Sequence, residues 1–196
     1  MIQIHTMPLG SYQTNCYLVW EEGSDTCLVI DPGYEAQQIL LEVQRLQKTV
    51  EAIPLTHGHF DHVGAIREIA ESTDCDVYVC DRELTIPARL SAGPIYHTHT
   101  YGQGDVLQVA GLELQVMHTP GHSVGSVCLK CQDCIFSGDT LFAGTCGRTD
   151  LPGGSWTEIV ASLKTLAALE GDYRVYPGHG PSTTLAEERR LNPYMQ

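Results

Sequence analysis

Basic residues are scarce in this sequence. Eleven Lys and Arg stand against 24 Asp and Glu among 196 residues, which gives a formal net charge of −13 at pH 7 and a sequence pI near 4.9. A surface of this sign repels phosphate backbones and anionic lipid headgroups. We therefore expect neither a nucleic acid nor a membrane as a partner.

Long apolar runs are also absent. No stretch approaches the about 18 consecutive apolar residues that a membrane-spanning helix needs. The N-terminal MIQIHTMPLG has neither the positive region nor the apolar region of a secretory signal peptide. We expect a cytosolic protein with reduced thiols. The length fits one domain over residues 1–196, which is large enough to fold without disulfides.

Three of the eight cysteines lie in CLKCQDC, residues 128–134. The spacing of two overlapping C-x-x-C pairs could hold zinc or an iron–sulfur cluster. The surrounding sequence instead favours two strands joined at Gln132 and Asp133, in which Cys128 and Cys131 face opposite sides. No second pair at zinc-finger spacing exists. We therefore interpret these cysteines as small apolar core residues.

Strand and helix patterns alternate along the chain. CYLVW (16–20) and CLVIDPG (27–33) predict two paired strands, and apolar spacing predicts helices over 39–46, 64–73 and 155–169. In the last of these, Ser155 and Glu158 form a capping box. Strand-rich blocks followed by helices occur twice, which predicts two sheets with helices packed outside them.

Side chains that bind metals recur where predicted strands end. THGHFDH follows the run EAIPLT, and PGHS, GDT and PGHG follow three later strands. Loops at strand ends are where a rigid scaffold presents its chemistry. These four loops contribute five histidines and two aspartates: His57, His59, Asp61, His62, His122, Asp139 and His179.

Seven such groups exceed the four ligands of one zinc ion. They suit two ions about 3.5–4 Å apart with one carboxylate bridging them. Imidazole and carboxylate without thiolate favour zinc, iron or manganese. We expect two metal ions, with zinc as the first choice and iron or manganese as alternatives.

THGHFDH resembles the H-x-H-x-D-H signature of the metallo-β-lactamase fold superfamily, and the three later motifs match it in order. The resemblance extends from NCYLV to PGHGPST. It implies an α/β fold, a four-layer αββα sandwich of two mixed sheets flanked by helices. It also implies that His57, His59 and His122 hold one metal. Asp61, His62 and His179 would hold the second, with Asp139 and a water bridging them.

Two metals and a bridging water indicate hydrolysis, because metal coordination lowers the pKa of water toward about 7. Asp61 and Asp139 are the expected catalytic carboxylates. FSGDTLFAGTCGRTDLPGG (136–154) is similar to glyoxalase II-like hydrolases of the small bacterial branch, which cleave S-acylglutathione thioesters. The resemblance places Arg148 where longer relatives bind the glycine carboxylate of glutathione. A loop salt bridge with Asp150 is the alternative role for Arg148.

One departure concerns the C-terminal helical domain of the longer glyoxalase II enzymes, which supplies much of their glutathione pocket. Only residues 180–196 follow His179 here. The resemblance to glyoxalase II enzymes therefore implies the metal chemistry more strongly than the substrate. The sequence makes no prediction of the oligomeric state.

Other functions stay open at this point. An iron-dependent persulfide dioxygenase shares the CGRTD segment and would use His57, His122 and Asp139 as its triad. Lactonase and β-lactamase activities are further options. A non-catalytic metal-binding protein is disfavoured, because structural zinc sites are closed, four-coordinate and often rich in thiolates.

Overall fold

The first half of the chain builds a six-stranded mixed sheet. The computed structural model describes all residues from 1 to 196. Strands β1 to β3 are antiparallel neighbours, and β3 to β6 are parallel neighbours, in the order β1-β2-β3-β4-β5-β6. The strands are β1 (Ile2–Leu9), β2 (Thr14–Glu21), β3 (Thr26–Ile30), β4 (Thr49–Pro54), β5 (Asp76–Cys80) and β6 (His99–Tyr101).

The second half builds a second six-stranded sheet and a short hairpin. The sheet order is β14-β13-β10-β9-β8-β7, and only the β10 and β13 pair is parallel. Its strands are β7 (Val106–Val109), β8 (Leu112–His118), β9 (Val127–Cys131), β10 (Cys134–Gly138), β13 (Arg174–Pro177) and β14 (Thr183–Thr184). The separate hairpin pairs β11 (Leu141–Phe142) with β12 (Thr145–Cys146).

The chain also forms five α-helices and one 3-10 helix, and all but the C-terminal helix lie between strands in the sequence. None of the helices has the length and apolar content to cross a membrane. They are α1 (Ala36–Arg45), α2 (Phe60–Val63), α3 (Ile66–Thr73), the 3-10 helix (Asp81–Thr85), α4 (Trp156–Ala167) and α5 (Leu185–Leu191). One half of the predicted capping box forms, because the Ser155 side chain accepts a hydrogen bond from the backbone N–H of Glu158 at 3.3 Å. The other half does not, because the backbone N–H of Ser155 donates to the carbonyl of Gly121 at 2.8 Å.

Three apolar cores separate four layers. One core packs the outer face of the first sheet against α1 and α3, and a second lies between the two sheets. The third packs the second sheet against α4 and α5. Along β2 the side chains alternate, so that Leu18 faces the helices while Tyr17 and Val19 face the other sheet. The predicted αββα sandwich is confirmed. That residues 1–196 form a single domain stays a prediction.

The cysteine-rich segment forms the predicted hairpin of β9 and β10. Cys128 packs in the outer core beside α4, whereas Cys131 and Cys134 pack between the sheets. All eight cysteines are free, and all except Cys146 are buried. Burial raises the pKa of Cys128 to about 11 and that of Cys134 to about 12. The three thiols are core residues.

This burial predicts the pattern of thiol labelling. Only the thiolate reacts with iodoacetamide, and buried thiols with raised pKa values stay protonated. At pH 8 the native protein should be alkylated at Cys146 at most, whereas all eight cysteines should react in denaturant. Peptide mass mapping measures both. Rapid native labelling of Cys131 or Cys134 would contradict the described packing.

Candidate metal centre

Four loops meet at one edge of the two sheets. The loop after β4 carries His57 and His59, and the short α2 that follows carries Asp61 and His62. The loops after β8, β10 and β13 carry the other three predicted residues: His122, Asp139 and His179. All seven are buried except His179, whose side chain is 27% exposed. The structure therefore brings together every metal-type residue that the sequence singled out.

The first group is formed by His57, His59 and His122. Each offers one ring nitrogen within 4.8 Å of the others. Nδ1 of His59 lies 2.8 Å from Nε2 of His122. The ring centroid of His57 lies 4.8 Å from that of His59 and 4.9 Å from that of His122. These three nitrogens converge on one point.

The second group is formed by Asp61, His62 and His179, again within 4.8 Å of one another. Oδ2 of Asp61 lies 3.3 Å from Nε2 of His179 and 3.7 Å from Nε2 of His62. The same oxygen accepts a hydrogen bond from the Thr14 hydroxyl at 3.1 Å. Asp61 is thereby fixed facing the two histidines.

Asp139 lies between the two groups. Its Oδ2 is 3.5 Å from Nε2 of His122 in the first group and 3.5 Å from Nε2 of His179 in the second. Its Oδ1 is 3.4 Å from Nε2 of His62. A carboxylate so placed can contact two ions at once.

Unpartnered polar atoms test whether metals fit this cluster. Buried polar atoms without partners are costly, so they are rare in native structures. Four buried atoms here have no hydrogen-bond partner, and all four belong to residues of the cluster: Nε2 of His57, His59 and His62, and Oδ1 of Asp139. Because His59 turns its Nδ1 toward His122, the other three are the atoms that a metal would satisfy. Imidazole nitrogen and carboxylate oxygen are the ligands of zinc, iron and manganese. The residues therefore fit a binuclear metal site.

The outer nitrogens of four histidines are held by the protein. This arrangement orients each ring and leaves Nε2 directed to the centre. The partners of Nδ1 are the Thr56 hydroxyl for His57 at 3.2 Å, Asp31 for His62 at 2.9 Å, the Arg148 carbonyl for His122 at 2.8 Å and the Tyr12 carbonyl for His179 at 3.2 Å.

Asp31 is a supporting residue that the sequence showed only as part of a turn signal. Its carboxylate accepts hydrogen bonds from the backbone N–H and the hydroxyl of Thr56, at 2.7 and 2.5 Å, and contacts Nδ1 of His62. Asp31 also lies near His57 and His62 in a third possible ligand group. Because its oxygens already have these partners, its role is to hold His62.

Charge is distributed unevenly over the cluster. Burial lowers the pKa of His57 well below its usual range and that of His59 to about 4, so both rings are neutral at pH 7 with a lone pair to offer. Burial also opposes charge on His62, but Asp139 and Asp31 raise its pKa well above the ordinary value. The pKa of Asp139 is lowered, since His62 outweighs the effect of burial.

Gly178 makes room for the cluster and provides a test of its packing. A Cβ atom at this position would overlap Oδ1 of Asp139 and lie 2.7 Å from Cε1 of His62. We expect Gly178→Ala to lower metal content per chain and to destabilise the protein by about 1–3 kcal/mol, the usual cost of overpacking. Elemental analysis and denaturant unfolding measure the two effects. Gly102→Ala is the control, because no atom lies within 4 Å of its added Cβ; equal behaviour of the two variants would contradict the packing.

A pocket of about 390 Å³ opens onto the cluster. Its apolar walls are Tyr12, Phe60, Leu90, Phe142 and Leu151. Arg148 lines it too, and its guanidinium forms two hydrogen bonds of 2.7 Å with the carboxylate of Asp150. The predicted substrate residue thus lies beside the cluster, and the alternative ion pair is also present.

Arg89 is a second cation in this pocket, which the sequence analysis did not single out. Unlike Arg148, it has no ion pair and no side-chain hydrogen bond within the chain. Its neighbour Leu90 accepts a hydrogen bond of 2.7 Å from the backbone N–H of Phe60, at the start of α2. The Arg89 backbone is therefore anchored to the segment that carries the cluster.

Known proteins share this sequence and architecture. The profile described as Metallo-beta-lactamase superfamily matches residues 9–179. The chain is 37% identical to a probable metallo-hydrolase, YqgX, of Bacillus subtilis, covering 96% of this chain and 95% of that protein. It is 28% identical to the hydroxyacylglutathione hydrolase GloC of Haemophilus influenzae, covering 99% and 98%.

Solved structures agree with the sequence relatives. The BLEG-1 B3 metallo-beta-lactamase superposes with a TM-score of 0.91 at 35% identity, covering 99% of this chain and 100% of that one. TTHA1623 in a di-iron-bound form superposes with a TM-score of 0.84 at 40% identity, covering 97% and 99%. With the profile match over most of its length, the chain belongs to the metallo-β-lactamase superfamily.

Proposed function

We propose that this protein is a metal-dependent thioesterase that hydrolyses S-acylglutathione-type thioesters. The observation that carries the proposal is the two-group histidine and aspartate cluster at the floor of a pocket that also contains two arginines. Similarity to GloC over nearly the full length of both chains supports the substrate class. The proposed partner is a small thioester, with no nucleic acid and no membrane.

Ligand roles follow the two groups. His57, His59 and His122 would hold one ion, and Asp61, His62 and His179 would hold the other. Asp139 would contact both ions, since its oxygens lie between the groups. Zinc is the proposed metal, with iron or manganese as alternatives that accept the same ligands. When bound, such a pair supplies a water of pKa near about 7 and polarises a carbonyl oxygen.

Asp61 has a second role in this proposal. Burial would raise its pKa, but the hydrogen bond with His179 and the charge on His62 lower it, so the carboxylate is ionised at neutral pH. It lines the pocket, and Thr14 holds its Oδ2 in place. Asp61 can therefore accept a hydrogen bond from an attacking water and orient it toward the substrate.

The remaining pocket residues bind the two ends of the substrate. The apolar walls accommodate the acyl chain and the thioester sulfur, because neither needs a hydrogen bond. Glutathione carries carboxylates, and a guanidinium pairs with a carboxylate through two parallel hydrogen bonds. Arg89 is available for this pairing, whereas Arg148 must share its guanidinium with Asp150.

Arg89→Ala tests this binding mode. Loss of a charge-assisted hydrogen bond costs about 1.5–3 kcal/mol, so KM for an S-acylglutathione should rise about 10- to 100-fold while kcat changes little. Steady-state kinetics measure the effects on KM and kcat separately. The matched control is the same acyl group on N-acetylcysteamine, an uncharged thiol without a carboxylate, and KM for that thioester should not change. An equal rise for both substrates would show that Arg89 does not bind a carboxylate.

The functional assay follows release of free thiol from several S-acylglutathiones by the metal-replete protein. We expect turnover that a chelator abolishes and zinc restores. A cephalosporin is the comparison substrate, because of the resemblance to a B3 metallo-β-lactamase. Absence of thioester turnover, or faster opening of the β-lactam, would reject the thioesterase proposal.

A persulfide dioxygenase is the second candidate. His57, His122 and Asp139 lie together, as its iron triad requires. The similarity to a protein solved with two irons makes iron loading worth testing. Oxygen uptake with glutathione persulfide by the iron-loaded protein supports this candidate. The presence of His62 and His179 in the same cluster favours the hydrolase.

A further inference from the structure

Glu83 is a buried carboxylate outside the metal cluster. It lies in the 3-10 helix that follows β5, and its relative exposure is 0%. No Lys, Arg or His forms an ion pair with it. A buried carboxylate without a cation is costly unless several donors satisfy it. The identity of its donors therefore indicates why the position holds a glutamate.

The donors come from two separate loops. Oε2 accepts a hydrogen bond of 2.7 Å from the backbone N–H of Gly58. Oε1 accepts from the Ser123 hydroxyl at 2.5 Å and from the backbone N–H of Gly125 at 2.7 Å. No Cβ fits at Gly125, because it would lie 2.5 Å from the backbone nitrogen of Glu83.

Both loops carry residues of the first metal group. Gly58 separates His57 from His59, and Ser123 directly follows His122. One side chain thus ties together the two segments that supply this group. Both oxygens of Glu83 already accept hydrogen bonds from these donors and contact no histidine. Glu83 therefore affects the three histidines only by fixing the backbone of their two loops.

The second metal group is held by other contacts. Asp31 holds His62, and Thr14 holds Asp61. The loop that carries His179 is held by Asn15, whose side chain donates hydrogen bonds of 2.9 Å to the carbonyls of Pro177 and Gly180. Asp31 also reaches the first group, because it accepts from Thr56, whose hydroxyl contacts Nδ1 of His57. Glu83, in contrast, bonds only to the two loops of the first group.

We propose that Glu83 is a positioning residue that sets the geometry of the first metal site, formed by His57, His59 and His122. It fixes the two loops at the spacing that lets their three nitrogens meet. This role requires only the metal centre and is independent of which substrate the protein hydrolyses.

Glu188 provides a matched control. It is also a buried glutamate, 2% exposed, and accepts hydrogen bonds from a glycine N–H, a hydroxyl and an amide: Gly144 at 2.8 Å, Thr183 at 2.7 Å and Asn192 at 2.8 Å. None of these donors adjoins a residue of the first group. Replacing either glutamate by glutamine removes one buried carboxylate, but only the change at Glu83 reaches that site.

The experiment compares Glu83→Gln with Glu188→Gln in the full-length protein. In Glu83→Gln, the new NH2 group must face an N–H donor at one oxygen position, so one loop is released. Each variant is equilibrated with zinc against a competing chelator, and zinc per chain is counted by elemental analysis. Thermal unfolding of the metal-free proteins measures the stability of the fold itself.

We expect Glu83→Gln to bind one of its two zinc ions about 10- to 100-fold more weakly, the range for loss of a supporting contact, and to keep the other. Glu188→Gln should keep both ions and should lose less thermal stability, because the Thr183 hydroxyl can accept a hydrogen bond from the new NH2 group. Retention of both ions by Glu83→Gln, or the same zinc loss in both variants, would overturn the proposal.

Ser123→Ala is the second variant, for use if Glu83→Gln does not fold. It removes one of the three donors and leaves both backbone hydrogen bonds in place. Weakening of one zinc ion by up to about tenfold is expected, at the low end of the supporting-contact range. Unchanged zinc affinity in this variant would contradict a positioning role for Glu83.

Discussion

Asp139→Ala is expected to abolish thioester turnover and to lower the metal content of a chain that remains folded. Loss of a contact that supports a metal ligand lowers metal affinity or activity by about 10- to 100-fold. Loss of a bridging ligand should therefore lower them by more than about 100-fold. The reason is its position, 3.5 Å from His122 in one group and 3.4 Å from His62 in the other. Removing it affects both ions.

The control for this variant is Asp25→Ala. Asp25 is an exposed carboxylate without a side-chain hydrogen bond, so its removal should change neither metal content nor turnover. Elemental analysis, circular dichroism and the thioester assay report metal, fold and activity separately. Normal activity in Asp139→Ala would refute the bridging role. Loss of folded structure would show that Asp139 stabilises the fold itself.

Asp31→Asn should have the second largest effect on the centre. Asparagine suits the position, because Asp31 has a left-handed backbone with φ of 51° and asparagine tolerates that region. Its amide oxygen can accept the hydrogen bond from the backbone of Thr56. Its NH2 group then faces Nδ1 of His62 and donates to it. A neutral His62 whose Nδ1 accepts this hydrogen bond carries its proton on Nε2, where a metal would bind.

We therefore expect Asp31→Asn to bind zinc about 10- to 100-fold more weakly at the site of His62, with a matching loss of turnover. The shape of the side chain is retained, so packing changes little. Asp25→Asn makes the same chemical change on the surface and is the control. Zinc titration against a chelator measures the affinity. Unchanged affinity in Asp31→Asn would mean that Asp31 does not set the orientation of His62.

The cluster residues could be predicted from the sequence because each lies in a short local pattern. His57, His59, Asp61 and His62 occur within six residues directly after a buried strand. His122, Asp139 and His179 each follow a strand in a glycine-containing turn. Strand ends and turn residues can be recognised in the sequence without tertiary information. They determine which loops lie at the sheet edge where the cluster forms.

The supporting residues could not be found in the same way. Asp31 belongs to a DPG turn signal at a strand end, which explains the turn without indicating a contact to His62. Glu83 lies in CDRELT, a polar stretch whose burial depends on loops at residues 58 and 125. Arg89 follows this stretch and reaches the pocket only because Leu90 bonds to Phe60. Their roles arise from contacts between distant segments.

The secondary structure also divides into elements that local sequence predicts and elements that depend on contacts between distant segments. The hairpins of β2 with β3 and of β9 with β10, and the amphipathic helix α4, were predicted from their apolar patterns and turns. The strands β6, β11, β12 and β14 were not predicted. Each has only two or three residues, too few to show a side-chain period, and each forms because a neighbouring strand offers backbone partners.

Anomalous diffraction at the zinc absorption edge, from crystals of the zinc-loaded protein, would locate directly the two metal ions that the seven cluster residues are proposed to hold. We expect two peaks about 3.5–4 Å apart among the seven cluster side chains, with Asp139 contacting both. A single peak, or peaks remote from His122, Asp139 and His179, would contradict this expectation.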